Sequence, residues 1–172
     1  LGDYMTQIVS LEYDRYQTSS CLKKLSEFLE QGLWVEIIRA EESQTNIPEE
    51  ILPQGPGVII SSGGSSGDSF KCLHPCRHLN ESASATAKWL SVQGINPHNC
   101  QILNPLPINH VSGLMSWWRS QSWGTKHTLI SPALMRDPSK LYDFSDSFTD
   151  NNDKSLLISL VPTQLGRLLK NP

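Results

Sequence analysis

Seven consecutive residues, Ser61-Ser62-Gly63-Gly64-Ser65-Ser66-Gly67, are only serine or glycine, and the apolar run Val58-Ile59-Ile60 stands directly in front of them. The apolar run reads as a buried strand. Glycine lets the backbone turn through positive φ and expose successive N–H groups. Serine adds hydroxyl donors. Several N–H groups converging on one point make an anion nest, and phosphate is the usual guest. A flexible Ser/Gly linker has the same composition, but linkers seldom follow directly on a buried strand. A Walker A loop is excluded, because Gly67 is followed by Asp68 and not by Lys. G-x-G-x-x-G does not fit either.

The rest of the chain alternates helix and strand patterns. Residues 1–20 are mixed and polar and suggest no element. Ser20 is placed to cap a helix over 21–31, with Leu22, Leu25, Phe28 and Leu29 at helical spacing and Gly32 as its stop. Leu33 to Ile38 reads as a strand, and 41–57 as a loop. Phe70 to Leu73 is the returning strand after the Ser/Gly tip. A helix follows over Leu79 to Val92, then a strand over Gln101 to Pro107. A helical stretch opens at His110 and runs through Trp118. A short strand is expected at Thr128–Ser131, a loop with one short helix around Lys140–Tyr142 in 132–153, and a buried strand at Leu156–Val161. A last helix starts at Pro162-Thr163 and ends near Leu169. This order predicts an α/β fold: a layered, mainly parallel sheet flanked by helices.

Length and charge bound the function. The 172 residues suffice for one domain with a real core. A net charge of −3 gives no reason to expect a nucleic-acid partner or a membrane surface. No apolar run approaches a membrane span, and no secretory leader is expected. Four cysteines, at 21, 72, 76 and 100, do not make a dense disulfide framework. The expected home is a reducing cytoplasm. Cys72, His74, Cys76 and His78 form C-x-H-x-C-x-H, whose alternate spacing would put four zinc ligands on one strand face. Pro75 and the lack of a C-x-x-C loop count against that, and no resident metal is expected.

Three separated blocks resemble the adenylate-forming (AMP-binding, acyl-CoA synthetase) superfamily. Ser62-Gly63-Gly64-Ser65-Ser66-Gly67 is similar to the first six positions of its T-S-G-S-T-G-x-P-K loop; the loop Lys falls on Phe70, and Lys71 sits one place late. Leu106-Pro107-Ile108-Asn109-His110-Val111-Ser112-Gly113-Leu114 resembles L-P-L-F-H-V-S-G-L. Ser159 to Leu165, followed by Arg167-Leu168-Leu169, resembles V-P-T-x-L-x-R-L-L. The blocks span about residues 55–170. The short lead before the loop, and Trp118-Arg119-Ser120 after the second block, are most similar to o-succinylbenzoate–CoA ligases of menaquinone and phylloquinone synthesis.

The resemblance implies an ATP-dependent carboxylic acid–CoA ligase, with ATP, Mg2+ and coenzyme A as substrates and cofactors and a small carboxylic acid as partner. It implies that Ser62, Gly63, Gly64, Ser65, Ser66, Gly67 and Lys71 bind ATP phosphates. It implies that His110 is catalytic and lies at the acyl site with Ser112, Gly113, Arg119 and Thr163. Each has a plainer reading: a packed or capping His110, helix–strand packing at Gly113, an exposed helix Arg119, an N-cap Thr163. Residues 1–54 are expected to be a lead-in helix and strand, and 55–172 the phosphate-loop and acyl-pocket half of an N-terminal domain. The later adenine-binding block and the C-terminal lid with its Lys have no counterpart, so a fragment inactive alone is expected. A bare sheet edge would favour self-association into a homo-oligomer. A ligase for another aryl or acyl acid, and a non-catalytic nucleotide-binding or interaction module of the same fold, are the alternatives.

Overall fold

In the strand Trp34–Ile38 (β2) the first four residues are buried, as a strand covered on both faces demands. It lies between β1 (Ile8–Glu12) and β3 (Gly57–Ser62), parallel to both, and β4 (Phe70–Pro75) returns antiparallel to β3. The computed structural model describes residues 7–40, 42, 44, 46–62, 70–148 and 154–170. Helix α1 (Thr18–Glu30) contributes buried Cys21, Leu22 and Leu25. Gly32, at φ 82, ends it in a conformation that favours glycine. Gly57 has a different reason to be glycine. A Cβ there would stand 2.4 Å from the Trp34 ring, which fills that space.

These elements, with residues 108–111, form one compact unit; residues 80–107 and 112–172 form the second. Helix α2 (Cys76–Val92) begins in the first and continues into the second. The second unit is built on β5 (Cys100–Asn104), wholly buried, with β6 (Lys126–Leu129) and β7 (Ser155–Ile158) parallel on either side. Helices α3 (Val111–Trp123), α4 (Pro138–Asp146) and α5 (Pro162–Lys170) complete it. Alternation along β5 separates two cores. Ile102 packs with Leu90 of α2 and Trp123 of α3. Leu103, facing the other way, packs with Ile130 and Met135, joined by Leu141, Phe144 and Leu168.

The α/β architecture with parallel strands is as the sequence predicts, but the strands divide between two sheets. Three local expectations change. The polar first segment holds β1, whose Leu11 is buried. Helix α1 starts at Thr18, so Ser20 lies inside it and no side chain caps it. The expected short helix around Lys140–Tyr142 is α4, longer than expected and capped by Asp137, whose side chain accepts from Lys140 N at 3.1 Å; ahead of it the expected loop holds a 3-10 turn over Pro132–Arg136.

Candidate functional site

The Ser/Gly tip joins β3 to β4. Residues 63–69 lie outside the described residues, and with them Gly63, Gly64, Ser65, Ser66 and Gly67. The neck of the hairpin is defined. Ser62 pairs with Phe70, and Ser62 Oγ accepts from Phe70 N at 3.2 Å. Behind the neck, Lys71 pairs with Ser61 and donates to its Oγ at 2.8 Å. Lys71 Nζ also lies 2.8 Å from Glu36 Oε1.

Glu36 is a carboxylate of zero exposure in the middle of β2. Desolvating it would cost several kcal/mol without a counter-charge. The strand register supplies that charge. Glu36 is level with Ile59, and Lys71 with Ser61 two residues on, so all four share one sheet face. Two of the ammonium's three donors are thereby engaged behind the loop.

His110 belongs to the same unit. It follows the buried Ile108 and Asn109 and is itself half-buried. Burial, and then the charge of Arg39, pull its ring below the ordinary histidine value, which favours neutral imidazole at pH 7. Arg39 directly follows β2, at the carboxyl edge where parallel sheets bind ligands.

In the second unit, Ser112 lies half-buried in the first turn of α3, and its carbonyl accepts from Ser116 Oγ at 3.1 Å. Gly113 is buried so tightly that a Cβ would stand 2.1 Å from the Pro107 carbonyl oxygen. Close packing against the preceding turn therefore accounts for this glycine. Arg119 is half-buried; its Nε has no hydrogen-bond partner among the described residues, and burial lowers its pKa. Thr163 is exposed inside the first turn of α5 and does not cap it. Gln164 does part of that work, its Oε1 accepting from Val161 N at 3.1 Å. The tryptophans at 117, 118 and 123 are buried, with Trp118 Nε1 donating to Asn80 Oδ1 and Trp123 Nε1 to the Ala83 carbonyl.

Cys72 and His74 share a face of β4, but Cys76 opens α2 and His78 sits exposed on it, so the four do not converge. Among the described residues no three His, Cys, Asp or Glu gather as metal ligands. No helix there is long and apolar enough to cross a membrane. A cavity of about 300 Å3 at the end of β1, lined by Ser10, Glu12, Asp14, Gln17, Cys21 and Lys24, contains none of the predicted site residues.

Sequence reasoning missed Glu36 and Arg39. An acid inside the apolar run 33–38 was the available signal for Glu36.

No protein-family model and no curated protein matches the chain. Solved structures do. The o-succinylbenzoate CoA synthetase of Bacillus subtilis with its acyl-adenylate intermediate matches with a TM-score of 0.52 at 16% identity, over 96% of this chain and 52% of that one. The same enzyme with ATP and magnesium matches with 0.52 at 17%, over 95% and 52%. Its double mutant with a CoA product analogue matches with 0.52 at 16%, over 95% and 40%. The fold is that of the N-terminal domain of adenylate-forming enzymes. The chain spans between 40% and 52% of the length of these neighbours.

Proposed function

We propose that this chain supplies the phosphate-loop half of an AMP-forming carboxylic acid–CoA ligase acting on o-succinylbenzoate, a step of menaquinone and phylloquinone synthesis in the cytoplasm. The observation that carries the reading is the β3–β4 hairpin. A Ser/Gly tip that resembles the family's phosphate loop joins two strands in a fold that resembles ATP-binding ligases over nearly the whole chain.

In this reading the acid's carboxylate oxygen attacks the α-phosphorus of ATP. The bond to pyrophosphate breaks and acyl-adenylate forms. The thiol of coenzyme A then attacks the acyl carbonyl, loses its proton, and AMP leaves. The first step moves a phosphoryl centre between anions, so the protein's part is positioning and charge neutralisation. Ser62, Gly63, Gly64, Ser65, Ser66 and Gly67 hold the terminal phosphates through N–H and O–H donors. Lys71 anchors the loop's return strand through Glu36 and has its third donor for phosphate. By the resemblance, His110 takes the catalytic role; in the second unit Ser112 is assigned to the acid, and the unpartnered Nε of Arg119 suits its carboxylate. Gly113 holds the α3 turn close, and Thr163 is assigned to the acid by the resemblance alone. The described residues gather no ligand set for magnesium, so no step is assigned to it.

One observation favours a non-catalytic nucleotide-binding module instead: Lys71 is already committed to Glu36 and Ser61. Acyl-CoA formation separates the two. The full-length protein, given ATP, magnesium, coenzyme A and o-succinylbenzoate, should release AMP and pyrophosphate in step with the thioester, and His110→Ala should slow this by about 100-fold or more. Nucleotide binding without thioester for any acid would favour the module.

A further inference from the structure

Within the first unit, Lys71 meets its counter-charge across an intervening strand. In the sheet order β4 pairs with β3 and β3 with β2, so Lys71 and Glu36 stand on strands that do not pair with each other. Glu36 is level with Ile59, and Lys71 with Ser61, two residues nearer the tip. The two side chains bridge that offset of about 7 Å, passing over β3. Nζ ends 2.8 Å from both Ser61 Oγ and Glu36 Oε1.

Position 71 is the one that can make this tie. Side chains alternate along β4, so Phe70, 67% exposed, lies on the other face, and a lysine there could not reach Glu36. The lysine that sits one place late in the loop pattern is therefore on the face that carries the buried acid.

We propose that Glu36 is a positioning residue: its carboxylate pins the Lys71 ammonium at the neck of the β3–β4 hairpin, so that a phosphate-bearing ligand meets a cation already ordered. A lysine on its flexible stem has many rotamers to lose, and ordering completed before binding raises affinity. The Lys71 side chain keeps 19% of its surface exposed, so it is held without being sealed off. The consequence for ligand affinity rests on the phosphate-loop reading; the pinning itself does not.

Glu36→Gln keeps the shape and removes the charge. In the full-length protein titrated with ATP–magnesium, it should weaken binding about tenfold, and so should Lys71→Met. The double variant should bind no more weakly than Lys71→Met alone, because Glu36 acts through Lys71. A general loosening of the sheet would instead weaken binding equally in both backgrounds. That result, or a folded Glu36→Gln protein of unchanged affinity, would overturn the proposal. The ammonium gives a second readout that needs no nucleotide. In the wild type its protons should exchange with water at least tenfold more slowly than those of the exposed Lys23, and Glu36→Gln should remove most of the difference. Wild-type Lys71 protons that exchange as fast as those of Lys23 would overturn the pinning, a measurement that needs no variant to fold. If ATP does not bind the wild type, the phosphate-loop reading fails, and the exchange rate still decides whether Glu36 pins Lys71.

Discussion

Gly113→Ala sets two physical effects against each other. Gly113 lies inside α3 and does not have positive φ, so helix propensity alone predicts that alanine stabilises by about 1 kcal/mol. The packing predicts the opposite. The new Cβ would stand 2.1 Å from the Pro107 oxygen, 2.6 Å from its carbonyl carbon and 2.8 Å from the Leu106 oxygen. Ordinary contact begins near 3.4 Å. All three atoms are backbone, so no rotamer change relieves them, and the turn must retreat by roughly 1 Å. Overpacking of this kind costs about 3 kcal/mol. Moving the turn also strains the Asn104–Gly113 hydrogen bond, worth about 1 kcal/mol. After the propensity gain, the net effect is destabilisation by about 3 kcal/mol. Urea unfolding followed by the buried tryptophans of α3 measures it. With a slope of about 2 kcal/mol per molar, the midpoint should fall by roughly 1.5 M. An unchanged or raised midpoint would refute the packing argument.

Two further substitutions test the electrostatics. Lys71→Met removes the cation beside buried Glu36 and should cost about 2–4 kcal/mol, most of it recovered when Glu36→Gln is added; additive losses in the double-mutant cycle would deny the coupling. His127 bears on acid stability. Burial pulls its folded value from 6.5 to about 4. Above pH 6.5 both folded and unfolded rings are neutral, and between 6.5 and 4 the unfolded ring takes the proton first. Stability should therefore fall as pH drops through that window, by about 1–2 kcal/mol after solvent screening. His127→Gln should flatten that slope, and an unchanged slope would show that other groups carry it.

Elements with strong local signals were legible: β2, β3, β5 and α2 announce themselves by apolar runs or helical spacing. Strand β1 was not, because Ser10 and Glu12 interrupt it and its place as an edge strand is set by β2, not by its own composition. Helix α4 was read only around Lys140–Tyr142; its start, Asp137-Pro138, stood in a polar segment. The candidate site residues that the sequence offers, the Ser/Gly tip and His110, come from local patterns. Glu36 with Lys71, and Asn104 with His127, depend on which strands are neighbours. No spacing in the sequence reveals that order. Thr163 misled because Pro162 already starts the helix, which leaves Thr163 two positions past the cap, Val161.

The central claim is that the Ser/Gly tip between β3 and β4 holds the phosphates of ATP. Calorimetric titration of the full-length protein with ATP–magnesium, beside the Ser65→Ala/Ser66→Ala variant, tests it most directly. Measurable binding in the parent, weakened more than about tenfold by loss of the two hydroxyls, is the predicted result. Equal affinity in parent and variant, or no binding to the parent, would contradict it and leave the tip a simple turn between two strands.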